Sequence, residues 1–152
     1  MWRDVEGSPT TSLSNTKKER FAGRLISSVN RGHLALSALH LHQAAEAAYR
    51  TILLVFIGYK PRPALARLLA DHAARHASGI DEFIPRDGPN DEARLFKLLD
   101  HACIGARFDA KYAIAEDELE RIAGRVRALI KQSRSFCAAE LQRLEVLAGR
   151  AH

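Results

Sequence analysis

Cysteine, proline and glycine are all sparse in this chain, and each scarcity closes off a class of protein. Two cysteines in 152 residues, Cys103 and Cys137, provide neither a disulfide framework nor metal-ligand spacing. Both fall on helical apolar patterns. They therefore read as small buried hydrophobes in a reducing, cytoplasmic setting. Nine glycines and five prolines leave long stretches free of helix breakers. No glycine cluster forms a phosphate-cradling loop or a dinucleotide fingerprint. The longest apolar run, Ile52 to Ile57, is far too short to span a bilayer. The first twenty residues lack the apolar core of a signal peptide. No Ser/His/Asp or Cys/His arrangement is supported by spacing, so the familiar nucleophilic mechanisms have no footing.

What remains is a helical vocabulary. The chain is 47% hydrophobic, 27% charged and only 7% aromatic, and Ala, Leu, Arg and Glu dominate. Lys and Arg exceed Asp and Glu by 23 − 18 = 5. That excess permits a polyanionic partner without requiring one. The length fits one domain with a core of its own.

Residues 1–15 are polar, rich in Ser and Thr, and without periodicity, which reads as a disordered leader or linker stub. Residues 16–149 form the expected domain. Thr16-Lys17-Lys18-Glu19 matches a capping box, and a short amphipathic helix follows, ending at Asn30-Arg31-Gly32. A long helix runs from Leu34 to Ile57 and is stopped by Gly58, Pro61 and Pro63. A third helix begins at Pro63 with Leu65, Leu68, Leu69 and His72 on its apolar side. The stretch Ile80 to Pro89 is a loop. Asn90 caps a fourth helix carrying Leu95, Phe96, Leu98, Leu99, Ala102 and Cys103. The last helix starts at Glu116-Asp117-Glu118 and runs past Val146. No strand is predicted. The fold class is all-α, an antiparallel bundle of four to five helices.

Two places carry polar residues where apolar ones are expected. In the long helix, Leu34, Ala38, Leu41, Ala45, Ala48, Ile52 and Val55 form an apolar seam. The adjacent row reads Leu39, His42, Glu46, Tyr49, Leu53, Phe56, so an imidazole and a carboxylate interrupt an apolar face. They can meet at i, i+4, but no third ligand is defined, and no metal or cofactor is expected. The second place is Ala106-Arg107-Phe108-Asp109-Ala110-Lys111-Tyr112, which packs two cations, an acid and two aromatics between amphipathic helices. Such a set suits an anion or nucleotide site, with Arg107 on phosphate and an aromatic to stack. On the residues alone it suits better a hinge whose aromatics enter the core while Arg107 pairs with a carboxylate, because arginine is usually kept for its pairing geometry.

Taken together, Ala38 to Leu54 with its Gln43-Ala44-Ala45-Glu46, then Gly58-Tyr59-Lys60-Pro61-Arg62, Arg94 to Leu99, Ala106-Arg107-Phe108 and Ile114 to Leu119 resemble the HEPN superfamily. These are small helical domains found beside minimal nucleotidyltransferases. The resemblance covers about Lys17 to Ile130. It implies a helical bundle, often a homodimer. Active members are metal-independent ribonucleases, in which an Arg is followed four to six residues later by a His and two domains pair to compose the site. In toxin–antitoxin pairs the neighbouring nucleotidyltransferase is the antitoxin and can modify a tyrosine near the motif.

The chain departs from that motif. The family arginine maps onto Arg107, but Tyr112, Ala113 and Ile114 stand where a histidine belongs. Arg67 with His72 and Arg94 with His101 fit the spacing elsewhere. However, seventeen arginines and seven histidines give roughly two such matches by chance. Without that imidazole, acid–base cleavage at an RNA 2′-hydroxyl lacks its proton carrier. The expectation is a non-catalytic HEPN-like binding or assembly module working with a nucleotidyltransferase-type partner. Arg107, Lys111 and Tyr112 would line a nucleotide or RNA site, supported by His42, Gln43 and Glu46, with Glu46 holding Arg107. The alternatives are a ribonuclease toxin using Arg107 with His101, folded near it or supplied by a dimer mate, and a purely structural dimerising bundle.

Overall fold

A computed structural model describes residues 10–62, 66–80 and 91–151. The expected leader residues 1–9, the helix start at Pro63, all of the expected loop Ile80 to Pro89 after its first residue, and the Asn90 cap lie outside them. Four helices account for most of the described residues, among which there is no strand: α1 Thr10–Ile57, α2 Ala66–Ala74, α3 Asp91–Phe108 and α4 Glu116–Arg150. The all-α expectation holds. The expected break at Gly32 does not, because α1 passes through it.

The reason lies in the residues near Gly32. No proline follows until Pro61, and Gly32 has no positive φ. A lone glycine inside a helix costs only about 1 kcal/mol relative to alanine. Thr16 lies inside α1, and the helix begins at Thr10, within the stretch assigned to the leader. Gly58 does stop α1: it sits at φ 67, and its N–H returns to the Leu54 carbonyl at 3.0 Å, a left-handed glycine cap.

By its internal contacts the chain divides into two units, Met1–His33 and Leu34–His152. Within the first, the described residues from Thr10 onward are helical. The second holds the core, whose largest fully buried side chains are Tyr49, Ile52, Leu53, Ile80, Leu99, Leu129 and Val126. The α1 seam expected from spacing is there: Ala38, Ala45, Ala48 and Ile52 are buried, and Leu34, Leu41 and Val55 pack on the cluster.

In α2 the buried face is Ala66, Leu69, Ala70 and Ala73, a stripe at i, i+3, i+4, i+7. Leu68, expected inside, is exposed, because at about 200° around the axis from Ala66 it stands opposite that stripe. In α4, Ile122, Val126, Leu129, Ser133 and Cys137 are buried. Leu141 and Leu144, expected on the apolar side, are exposed, as is every residue from Leu141 to Arg150.

Between α3 and α4 the chain doubles back along α3. The Tyr112 hydroxyl donates to the Leu98 carbonyl at 2.9 Å, and Glu118 lies beside Arg94. Glu118 Oε2 also accepts the Ala115 N–H at 3.1 Å, one half of a capping box at the head of α4. Ion pairs fasten the two helix starts together: Arg121 to Asp91 (3.2 Å) and Glu92 (2.9 Å), and Arg125 to Glu92 (3.1 Å). The acids occupy the first turns, where they also complement the helix dipoles.

Candidate functional site

His42 is a buried polar residue of α1, 2% exposed. Its Nδ1 lies 3.1 Å from the Leu99 carbonyl oxygen of α3. A carbonyl can only accept, so the Nδ1 tautomer carries the proton. Its Nε2 is 3.9 Å from Glu46 Oε2. Glu46 in turn accepts from Arg50 Nη1 at 3.2 Å, and Arg50 Nε donates to the Pro61 carbonyl at 3.0 Å. A polar chain thus ties α3 to α1 and α1 to the turn that follows it.

Glu46 is therefore the partner of Arg50, one turn along its own helix, and not of Arg107. Gln43 points elsewhere: it is exposed, with Oε1 3.3 Å from His40 Nδ1. The three residues expected to act as one support divide into a buried tie, a salt bridge and a surface contact.

The segment after α3 is a different environment. Arg107 is exposed in the last turn of α3 and makes no ion pair among the described residues. A cation there also offsets the negative end of the helix dipole. Phe108 is 81% exposed. Lys111 is exposed, and its backbone N–H is held by Asp109 Oδ1 at 2.9 Å. That turn and its hydrogen bond to Lys111 keep the Asp109 carboxyl below its usual range, helped by His101. His101 Nε2 lies 3.4 Å from Asp109 Oδ2 with its side chain about half exposed.

Tyr112 does not present its hydroxyl. Beyond the bond to Leu98, its ring stands 5.8 Å from that of His101. Burial pushes the phenol pKa up to about 12, aided by the nearby Glu118 charge. Gly105 makes this packing possible. A Cβ there would lie 2.6 Å from Tyr112 Cδ2 and 2.8 Å from His101 Cδ2.

His101 and Arg107 belong to one helix but are not brought together. Six residues place them about 120° apart around the axis and about 9 Å apart along it. The exposed row that does run along α3 is Lys97, His101, Ile104 and Phe108, spaced i, i+4, i+7, i+11. An open depression beside it is lined by Lys97, Asp100, His101 and Ile104.

Sequence reasoning singled out Tyr112 as the aromatic of this corner, whereas the exposed aromatic is Phe108. The signal was available: Phe108 continues the surface row of Lys97 and His101, while Tyr112 follows an Asp-x-x-Tyr turn that folds inward. His72 and His76 are exposed, and no group of three or more His, Cys, Asp or Glu able to hold a metal occurs among the described residues. Among them, too, no helix is long and apolar enough to cross a membrane. Both cysteines are free thiols whose pKa values are raised chiefly by burial; Cys137 is buried as expected, whereas Cys103 is only partly buried.

A helical bundle with an Arg-Phe at the end of its penultimate helix invites comparison with families built the same way. The family model for the HEPN domain matches residues 19–135. The chain belongs to the HEPN domain family. No curated protein was found to match it. The matched region takes in α2, α3, most of α1 and α4 as far as Ser135, so the HEPN fold includes the corner at Arg107. The last fifteen residues of α4 lie beyond it.

Proposed function

We propose that this HEPN domain is a binding and assembly module that takes a phosphate-bearing ligand, a nucleotide or a segment of RNA, at the corner following α3. It works there with a nucleotidyltransferase-type partner. The observation that carries this reading is the state of Arg107. Arg94, Arg121 and Arg125 are engaged with carboxylates, whereas Arg107 is exposed and unpaired among the described residues. Lys111 follows it, and Phe108 offers a bare ring for a base to stack on. Catalysis is not part of the reading, because no imidazole stands within reach of Arg107 along α3.

Isothermal titration of the full chain with mono- and dinucleotides and with a short single-stranded RNA tests it. Binding that weakens about tenfold or more in Arg107→Ala is expected. Absence of binding to any of these ligands refutes the ligand half.

One observation favours a second reading, a metal-independent ribonuclease. His101 is half exposed, and Asp109 holds its ring, as in an acid–base imidazole. It would need Arg107 from a second copy. RNA cleavage without metal, lost in both Arg107→Ala and His101→Ala, would establish this reading in place of the first.

A further inference from the structure

An open apolar groove runs between α1 and α4. Ala44, Ala47 and Ala48 belong to one wall, and Ile130, Cys137 and Leu141 to the other. None of its lining residues comes from the corner that follows α3. On each helix the wall follows i, i+3, i+4, i+7 spacing, so it is continuous along the axis. The groove has a volume of about 510 Å³, within the roughly 300–1,000 Å³ of small-molecule sites. From Ile130 to Leu141 the α4 wall is about 16 Å long, room for an extended chain of about ten carbons.

The hydroxyls of the walls are already engaged. Thr51 donates to the Ala47 carbonyl at 2.8 Å, and Ser133 donates to the Ile130 carbonyl at 2.9 Å. Both protons are turned back on their own helices. Burial raises the Cys137 thiol pKa, so that group stays uncharged. What the groove offers is aliphatic carbon and the exposed guanidinium of Arg134, which makes no ion pair among the described residues. Among those residues no carboxylate lines the groove, and nearby Glu140 is held by Arg143 at 2.6 Å. A cation beside an apolar trough, with no acid to meet it, complements a ligand that is apolar along its length and anionic at one end.

We infer that the groove binds a free long-chain carboxylate, of the fatty-acid class. Its chain lies along the alanines and Leu141, and its carboxylate sits in the fork of Arg134. The planar guanidinium can take both carboxylate oxygens. The alanines leave the depth a chain needs, and each methylene covered takes apolar surface out of water. The dimensions favour a single chain over a helix. A volume of about 510 Å³ spread over about 16 Å makes a channel about 6 Å across, whereas a helix with side chains measures about 10–12 Å. The α4 wall from Cys137 onward lies past the HEPN match at residue 135. Binding here does not rest on the Arg107 reading.

Isothermal titration of the full chain with sodium decanoate, kept below its micelle concentration, tests this. Saturable binding of one decanoate per chain is expected. Decanol and decyltrimethylammonium carry the same chain with a neutral and a cationic head, and each is expected to bind about tenfold more weakly or worse. Arg134→Ala is expected to weaken decanoate about tenfold and to erase its advantage over decanol. Ala138→Trp fills the groove from an exposed position and is expected to remove binding with unchanged helical circular dichroism. No saturable binding of decanoate overturns the proposal, whether the groove stays empty or a second copy or a partner's helix fills it. So does equal affinity for decanoate and decanol, an Arg134→Ala protein as tight as wild type, or binding retained in Ala138→Trp. None of these variants alters Arg107, so the result stands apart from the fate of that site.

Discussion

Gly105→Ala pits two effects of known size against each other. In a helix interior, alanine is favoured over glycine by about 1 kcal/mol, so propensity alone makes the change stabilising. The packing points the other way. The new methyl would stand 2.6 Å from Tyr112 Cδ2, 2.9 Å from Tyr112 Cγ and 2.8 Å from His101 Cδ2. Carbon atoms need about 3.5 Å or more, so both rings must move by nearly an ångström. His101 can swing into solvent. Tyr112 cannot move without giving up its hydrogen bond to the Leu98 carbonyl, worth about 0.5–1.5 kcal/mol. Overpacking adds about 1–3 kcal/mol. The net expectation is a loss of about 1–2 kcal/mol, or roughly 3–6 °C in Tm for a chain of this size. Thermal melts by circular dichroism read this directly. In a Tyr112→Ala background the methyl has room, and the same substitution should raise Tm. A Gly105→Ala protein that melts above wild type with Tyr112 in place would refute the packing argument.

His42→Ala removes a buried ring and its tie to Leu99, and a loss of about 2–4 kcal/mol in urea unfolding is expected; a loss below about 0.5 kcal/mol would show the tie to be dispensable. The carboxyls of Asp91, Glu92 and Glu118 are held below their usual range by hydrogen bonds and charge from Arg94, Arg121 and Arg125, and for Glu118 chiefly by the Ala115 N–H. Their stabilisation is complete above the unfolded carboxylate pKa and is lost as pH falls through the lower folded values. Tm should therefore drop steeply below about pH 4, and Glu118→Gln should make that limb shallower. Tyr112, with its phenol raised to about 12, keeps its proton in the folded state after the unfolded one loses it. Stability should consequently fall as pH rises between about 10 and 12, and urea unfolding over that range checks it; stability that stays level there would contradict the burial of Tyr112.

Periodicity made the architecture legible. The apolar seam of α1 and the faces of α3 and α4 follow from i, i+3, i+4 spacing, and Gly58 with Pro61 marks a true end. Gly32 misled because a glycine signals a helix end only when the backbone turns left-handed there, which context decides. The α2 face hid in alanines, whose weak apolar signal is outvoted by Leu68. For the site, spacing correctly marked His42 and Glu46 as unusual. It could not show that Glu46 would take Arg50, four residues away, over the more distant Arg107, because pairing across helices depends on rotation about each axis. Nor could it separate Phe108 from Tyr112, since burial at a helix end is set by how the next loop returns.

The central claim is that Arg107 is a free phosphate-binding cation. Fluorescence anisotropy of a short labelled single-stranded RNA against salt concentration tests it most directly. Each phosphate neutralised contributes about 0.7 to the slope of log K against log salt. Wild-type protein should bind, and Arg107→Ala should both weaken binding and lower the slope by about 0.7, while Arg127→Ala, whose Nε donates to the Ala123 carbonyl within α4, should leave both nearly unchanged. Equal affinity and equal slope for wild type and Arg107→Ala would contradict the account.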